Sequence, residues 1–199
     1  MSNYLDYNAS TPIDPRVLNV MIDAFKNKYG NADSRTHAFG ESARRIVEES
    51  RGNIAELLDI NKDEVFFTSG ATESDNISIL GLQEYAEKFS KKHIITTAIE
   101  HKAVLEPLSV LESKGFEVTY IKPDINGRIN PDEVLSNVRN DTLLVSVMHT
   151  NNETGVIQPI DIIGEALDKT DVFFHVDAAQ SFGKLVDELK SVKYSFLSA

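Results

Sequence analysis

Short apolar runs alternate with longer amphipathic stretches along this chain, and that alternation limits its fold more than any other feature. The runs are rich in β-branched and aromatic residues and are apolar at consecutive positions, which is typical of strands covered on both faces. They span residues 65–68, 94–97, 118–121, 143–148 and 172–176. The stretches between them have helical periodicity and span residues 41–58, 73–89, 102–114, 132–138 and 160–167. This order predicts an α/β fold, with a mainly parallel sheet and helices on both faces.

Both ends of the chain differ from this pattern. Turn-rich segments at residues 4–12 and 29–37 flank a predicted helix over residues 15–28. These segments are either loops that reach a functional site or the edge of the fold, and their composition does not distinguish the two. Residues 194–199 have strand character and stand last in the sequence. We therefore expect an incomplete domain, with an exposed sheet edge that favours self-association.

Composition excludes several classes of function. The chain has 199 residues and a formal net charge of −11 at pH 7, which disfavours nucleic acid as a partner. It has no cysteine, and therefore no disulfide, thiolate metal site or cysteine nucleophile of its own. The histidines lack metal-binding spacing, so we expect no metal site. No segment resembles a membrane span or a signal peptide, so we expect a cytoplasmic protein without membrane partners.

Polar residues follow the apolar runs, and in open α/β sheets ligands bind beyond the carboxyl ends of the strands. After the first run, Ser69-Gly70-Ala71-Thr72 precedes a long helix. Small residues at a helix N-terminus let an anion approach backbone N–H groups, so this segment is either a phosphate site or an ordinary capped turn. His101 opens another helix, where it either contacts a planar ligand or only begins the helix.

The last two predicted strands are followed by further polar candidates. Asn152 lies in the segment Asn151-Asn152-Glu153-Thr154-Gly155, which suits either a ligand-binding amide or a common turn. Asp177 ends an apolar strand, where desolvation of a carboxylate is costly unless a cation or several donors face it. One ligand accounts for all of these features. Pyridoxal phosphate offers a phosphate, an aromatic ring, a ring oxygen and a ring nitrogen that a carboxylate keeps protonated.

The motifs together resemble the cysteine desulfurases of the NifS/IscS kind, which are class V, fold-type I pyridoxal phosphate enzymes. The resemblance runs from residue 4 to the last residue, in the expected order. It is carried by YLDYNASTP at residues 4–12, GN at 30–31, SRTH at 34–37, FTSGATESDN at 67–76, EH at 100–101, NNETG at 151–155 and HVDAAQ at 175–180.

The resemblance implies a role for each matching residue. Ala71 and Thr72 correspond to phosphate contacts, and His101 to the residue that stacks on the cofactor ring and takes part in proton transfer. Asn152 corresponds to an amide near the ring oxygen and the substrate. Asp177 corresponds to the carboxylate paired with the ring nitrogen, and Gln180 to a donor to the ring oxygen.

The resemblance also implies the wider properties of such a protein. The family converts L-cysteine to L-alanine and a persulfide that supplies iron–sulfur clusters or thiolation, by way of a sulfur acceptor or scaffold protein. Its members are homodimers with a large cofactor domain and a smaller domain built from both chain ends. We accordingly assign residues 1–14 to the small domain at the edge of the active site, and residues 15–199 to a truncated cofactor-binding domain.

Three functional elements of the family are missing from this chain. The Ser-x-His-Lys segment, whose lysine binds the cofactor covalently, and the cysteine that accepts sulfur are expected beyond Ala199. The third is the arginine that the resemblance implies for the substrate carboxylate. Lys184, Lys190 and Lys193 match no part of that segment. We therefore expect this chain by itself to bind the cofactor at best noncovalently and to have negligible desulfurase activity.

Two alternatives remain open from the sequence. The first keeps the fold and the cofactor but changes the reaction, as in a selenocysteine lyase or an aminotransferase of class V. The second is a non-catalytic half of a split gene that acts as a partner subunit. Residues encoded after Ala199 would distinguish these alternatives.

Overall fold

The computed structural model describes residues 3–199, which form two compact units. The first unit ends at Phe67, and the second runs from Thr68 to Ala199. The predicted boundary between residues 14 and 15 is not tested by this division and stays a prediction. Among the helices that residues 3–199 form, none is long and apolar enough to cross a membrane.

The first unit contains helices α1 (Pro15–Asn27) and α2 (Ala38–Leu58) and a 3₁₀ turn at Lys62–Glu64. Pro15 stands at the first position of α1, where its missing N–H costs nothing, and Asp14 accepts a hydrogen bond from the Arg16 N–H (2.8 Å). His37 caps α2 by accepting from the Gly40 N–H (3.1 Å). The predicted helix over residues 15–28 is confirmed to within one residue.

The second unit is built on one sheet of five parallel strands in the order β2-β1-β3-β4-β5. The strands are β1 (His93–Thr97), β2 (Glu117–Ile121), β3 (Thr142–Met148), β4 (Phe173–Asp177) and β5 (Phe196–Ser198). The helices are α3 (Ala71–Leu80), α4 (Gln83–Phe89), α5 (Lys102–Ser113), α6 (Pro131–Ser136), α7 (Ile160–Leu167) and α8 (Val186–Ser191).

Apolar side chains cover both faces of the sheet, because alternate residues of a strand point to opposite sides. On one face, Ile94 and Leu144 pack with buried residues of α3, α4 and α5. On the other face, Ile95 and Val145 pack with buried residues of α6, α7 and α8. The predicted α/β architecture, with a parallel sheet between two helical layers, is therefore confirmed.

Three details of the predicted pattern are wrong. Residues 65–68 form no strand, since Phe66 and Phe67 are exposed and no neighbouring backbone pairs with them. The helix predicted over residues 73–89 is two helices, α3 and α4, which are separated at Gly81 and Leu82. Strand β2 lies at the sheet edge with only β1 beside it, and it is partly exposed rather than covered on both faces.

The strand order creates a crevice at the carboxyl edge of the sheet. The chain leaves β1 towards β2 on one side, whereas β3, β4 and β5 follow one another on the other side. The loops after β1 and β3 therefore diverge between two neighbouring strands. Ligands of open α/β sheets bind at such a switch point.

Candidate functional site

The segment before α3 forms a tight turn with backbone donors at its end. Gly70 has φ 155° and ψ 177°, a conformation that side chains with a Cβ rarely adopt. The first N–H groups of a helix have no carbonyl partner within it, so those of Ala71 and Thr72 suit an anion. Ala71 is half-buried and Thr72 is exposed. One carboxylate already uses part of this turn, because Glu73 accepts from the Ser69 N–H at 2.5 Å.

His101 is placed by α5, of which it is the N-cap. Its Nδ1 accepts a hydrogen bond from the Ala103 N–H (3.2 Å), and the imidazole is otherwise exposed. A ring that accepts at Nδ1 presents Nε2 to the solvent side. His101 can therefore both contact a planar ligand and donate from Nε2, which carries the proton of the neutral ring.

The first turns of α3 and α5 lie beside each other. The side-chain amide of Asn76 donates to the Thr72 carbonyl (2.8 Å) and to the Ala103 carbonyl (3.4 Å). Thr72 and Ala103, which is two residues after His101, are thus connected through a single side chain, although they are far apart in sequence. The structure brings together the predicted phosphate turn and the predicted ring contact.

Asp177 is the last residue of β4 and is only 5% exposed. Its Oδ1 accepts from the Ala179 N–H at 2.9 Å. Burial raises the pKa of the Asp177 carboxyl, and the nearby Asp75 carboxylate raises it further. A cation at this carboxylate would lower that pKa and remove part of the desolvation cost.

The two predicted amides lie in the loops that follow β3 and β4. Asn152 and Gln180 are both half-buried, and both already interact with neighbouring groups. The Gln180 backbone carbonyl accepts from Lys184 Nζ (3.1 Å). Both side chains therefore belong to the same sheet edge as Asp177. Their predicted contacts with a ring oxygen stay predictions.

A buried polar layer beneath this edge was not predicted from the sequence. His175 Nδ1 lies 2.8 Å from Ser146 Oγ, and His175 Nε2 lies 2.9 Å from Ser198 Oγ. Asp75 Oδ1 lies 3.3 Å from His175 Nε2, yet neither carboxylate oxygen of Asp75 has a hydrogen-bond donor. Asp75 precedes Ile79 by one helical turn, and both lie on the buried side of α3. An acidic residue at this helical spacing from an apolar one is the sequence feature from which a buried carboxylate could have been predicted.

Glu100 is the second carboxyl group that sequence reasoning missed. It is 6% exposed, and its Oε1 accepts from Thr97 Oγ1 (2.6 Å) and from the Met148 N–H (3.0 Å). Its Oε2 is buried without a partner. Burial raises the pKa of Glu100 to about 8, and the charges of Asp177 and Asp75 add to that rise. Burial therefore favours the neutral carboxylic acid form of Glu100 at pH 7.

The family follows from comparison with known proteins. Residues 3–199 match the family described as Aminotransferase class-V. This chain belongs to the aminotransferase class-V family. It is 46% identical over 195 residues to the cysteine desulfurase IscS of Anaeromyxobacter sp. (strain K). It is 50% identical over 198 residues to the cysteine desulfurase IscS of Stutzerimonas stutzeri (strain A1501). Each alignment covers 98% of this chain and 48% of the relative.

Solved structures of similar proteins show the same fold. The structure of DndA from Streptomyces lividans has a TM-score of 0.85 at 49% identity, over 95% of this chain and 52% of DndA. The structure of SspA in complex with cysteine has a TM-score of 0.90 at 39% identity, over 99% of this chain and 57% of SspA. The predicted resemblance to NifS-like cysteine desulfurases and the predicted fold-type I large domain are confirmed. The chain spans about half the length of the curated relatives it matches.

Proposed function

We propose that this sequence belongs to a pyridoxal phosphate-dependent cysteine desulfurase, which converts L-cysteine to L-alanine and passes the sulfur on as a persulfide. The proposal rests mainly on the burial of the Asp177 carboxylate at the carboxyl end of β4. Identity of 46–50% to proteins named cysteine desulfurase supports the choice of reaction within class V.

The residues of the carboxyl edge fit pyridoxal phosphate. A buried carboxylate whose pKa is raised by desolvation suits a protonated ring nitrogen, and we assign this role to Asp177. The turn before α3 offers the N–H groups of Ala71 and Thr72 to a phosphate. The exposure of the His101 ring supports a role in stacking on a planar heterocycle. Asn152 and Gln180 supply amides for its ring oxygen and for the substrate.

When bound, the cofactor supplies an electron sink that stabilises negative charge at the substrate carbon. This chain's own residues orient it and control protons. Asp177 holds the proton on the ring nitrogen, and its buried position excludes the water that would weaken this ion pair. The neutral His101 ring carries its proton at Nε2, because its Nδ1 accepts from the Ala103 N–H, and at Nε2 it would donate a proton or a hydrogen bond.

Other properties of the whole protein are part of the proposal. We expect a cytoplasmic homodimer that passes sulfur to an acceptor or scaffold protein, without nucleic-acid or membrane partners. Residues 1–14 contribute to a smaller domain at the active-site edge, and residues 15–199 to the cofactor domain. The net charge of −11 supports the expectation that nucleic acid is not a partner.

The proposal is tested by cofactor titration of the protein and of Asp177→Asn, with Asp161→Asn, an exposed carboxylate of α7, as the matched control. We expect pyridoxal phosphate to bind the parent protein and Asp161→Asn equally. Asp177→Asn should bind about 10- to 100-fold more weakly, because a charge-assisted hydrogen bond is lost. Absence of binding, or equal binding by Asp177→Asn, would contradict the proposed role.

The reaction itself is tested with the full-length protein. Alanine and sulfur release from L-cysteine should exceed release of selenium from L-selenocysteine and amino transfer to a keto acid. A preference for either of the last two would indicate another class V enzyme. Cofactor binding without any of the three activities would favour the non-catalytic alternative.

A further inference from the structure

Two buried side chains connect the loop after β1 to the loop after β3. The Glu100 carboxyl accepts from the Met148 N–H (3.0 Å), which joins the start of α5 to the end of β3. The Asn151 amide donates to the Ile99 carbonyl (3.0 Å) in the opposite direction. Both side chains are 6% exposed. The two contacts cross the crevice between neighbouring strands at the switch point.

Asn151 also shapes the loop that bears Asn152. Its Oδ1 accepts from the Glu153 N–H (3.1 Å), the Thr154 N–H (2.9 Å) and Thr154 Oγ1 (3.0 Å). Its backbone N–H and carbonyl bond to Val156 and Gly155. One side chain therefore holds the turn around Asn152 closed and attaches it to the neighbouring loop.

We propose that Glu100 and Asn151 are positioning residues, which brace the His101 loop against the Asn152 loop so that both side chains meet the cofactor at a fixed separation. The inference rests on the proposed function, because it concerns the affinity of the site for pyridoxal phosphate. It adds two residues that sequence reasoning did not select.

The brace is sensitive to truncation because its partners are buried. Asn151→Ala leaves the Ile99 carbonyl and two loop N–H groups without their bonds, which frees both loops to move. Glu100→Ala removes the acceptor of the Met148 N–H. Glu100→Gln keeps an oxygen acceptor for Met148 and Thr97, and it matches the neutral form of the native side chain.

The experiment measures two quantities on the full-length protein and its variants. The first is hydrogen exchange of the backbone amides at residues 98–101 and 152–156 without cofactor. The second is the Kd for pyridoxal phosphate. Gln158→Ala is the matched control, since Gln158 is a buried amide that accepts from the Ile129 N–H (3.0 Å) and donates to the Gly127 carbonyl (2.9 Å). It braces residues 127–129, a segment that contains none of the predicted cofactor-binding residues.

We expect Asn151→Ala and Glu100→Ala to increase exchange at both loops and to raise Kd by about 10- to 100-fold. Glu100→Gln should stay within about threefold of the parent Kd at pH 7, because its hydrogen bonds survive and only their net strength changes. Gln158→Ala should increase exchange near residues 127–129 and leave Kd unchanged.

Each contrary outcome has a separate meaning. Unchanged exchange in Asn151→Ala would overturn the brace itself. Increased exchange with an unchanged Kd would overturn the positioning role while leaving the proposed function intact. A Kd raised equally by Gln158→Ala would show a general loss of stability and would also overturn it. If the parent protein binds no pyridoxal phosphate, the proposed function fails first, and the positioning role fails with it.

Discussion

Replacing Glu100 with glutamine should change how the stability of this protein depends on pH. In the folded protein, burial raises the pKa of the Glu100 carboxyl from 4.5 to about 8. Between these two values the unfolded chain has released the proton and the folded chain has kept it. Raising the pH therefore favours unfolding, and this loss of stability is complete above about pH 8.

The magnitude follows from the same two values. One pKa unit corresponds to about 1.4 kcal/mol, so Glu100 lowers the free energy of unfolding by about 3 kcal/mol between pH 4.5 and pH 7. By pH 8 the loss reaches about 4 kcal/mol. Glutamine has no such proton. The stability advantage of Glu100→Gln should therefore grow by these amounts as the pH rises from 4.5.

Urea unfolding followed by far-ultraviolet circular dichroism, repeated between pH 5 and pH 8, measures this difference. Glu106→Gln is the matched control, because Glu106 is an exposed carboxylate on α5. It should have the pH dependence of the parent protein. Parallel stability curves for the parent and for Glu100→Gln would refute the argument that Glu100 is buried as a neutral acid.

Two further predictions follow from packing and from burial. Gly164→Ala should destabilise the protein, since an added Cβ would lie 2.5 Å from the Lys193 carbonyl oxygen. Gly52→Ala in α2 places its Cβ in open space and should stabilise the protein by up to about 1 kcal/mol. Equal shifts in melting temperature for the two variants would contradict this. Burial lowers the pKa of His149 below 6.5 despite Glu188 nearby (Nε2 to Oε2, 3.4 Å), so His149 contributes stability above pH 6.5 that is lost as the pH falls. The pKa of His149 can be measured by NMR titration, with His149→Gln used to assign its signal. A measured pKa at or above 6.5 would contradict this prediction.

Local patterns predicted all five strands of the sheet, including β5 within residues 194–199, and most of the helices. The run at residues 65–68 has the same composition as the others but forms no strand. A strand depends on a neighbouring backbone, and composition does not reveal whether one is present. In the same way, helical periodicity over residues 73–89 did not show the interruption at Gly81 and Leu82.

The candidate site was predictable where a polar residue directly follows an apolar strand. Asp177 and His101 were found in this way, and the structure places both at the carboxyl edge of the sheet. Glu100 stands beside His101, yet its role depends on Met148, which is 48 positions away. Asn151 similarly depends on Ile99, at a separation of 52 positions.

The amino-acid sequence alone thus determined the order of strands and helices and the positions where polar side chains interrupt apolar runs, because these depend on spacing along the chain. Only the tertiary structure decided which of those side chains are buried and which meet. Parallel strands bring distant loops to one edge, and desolvation there makes Glu100 a neutral acid and leaves the Asp75 carboxylate without a hydrogen-bond donor. Burial and proton affinity depend on three-dimensional neighbours, and no local pattern contains them.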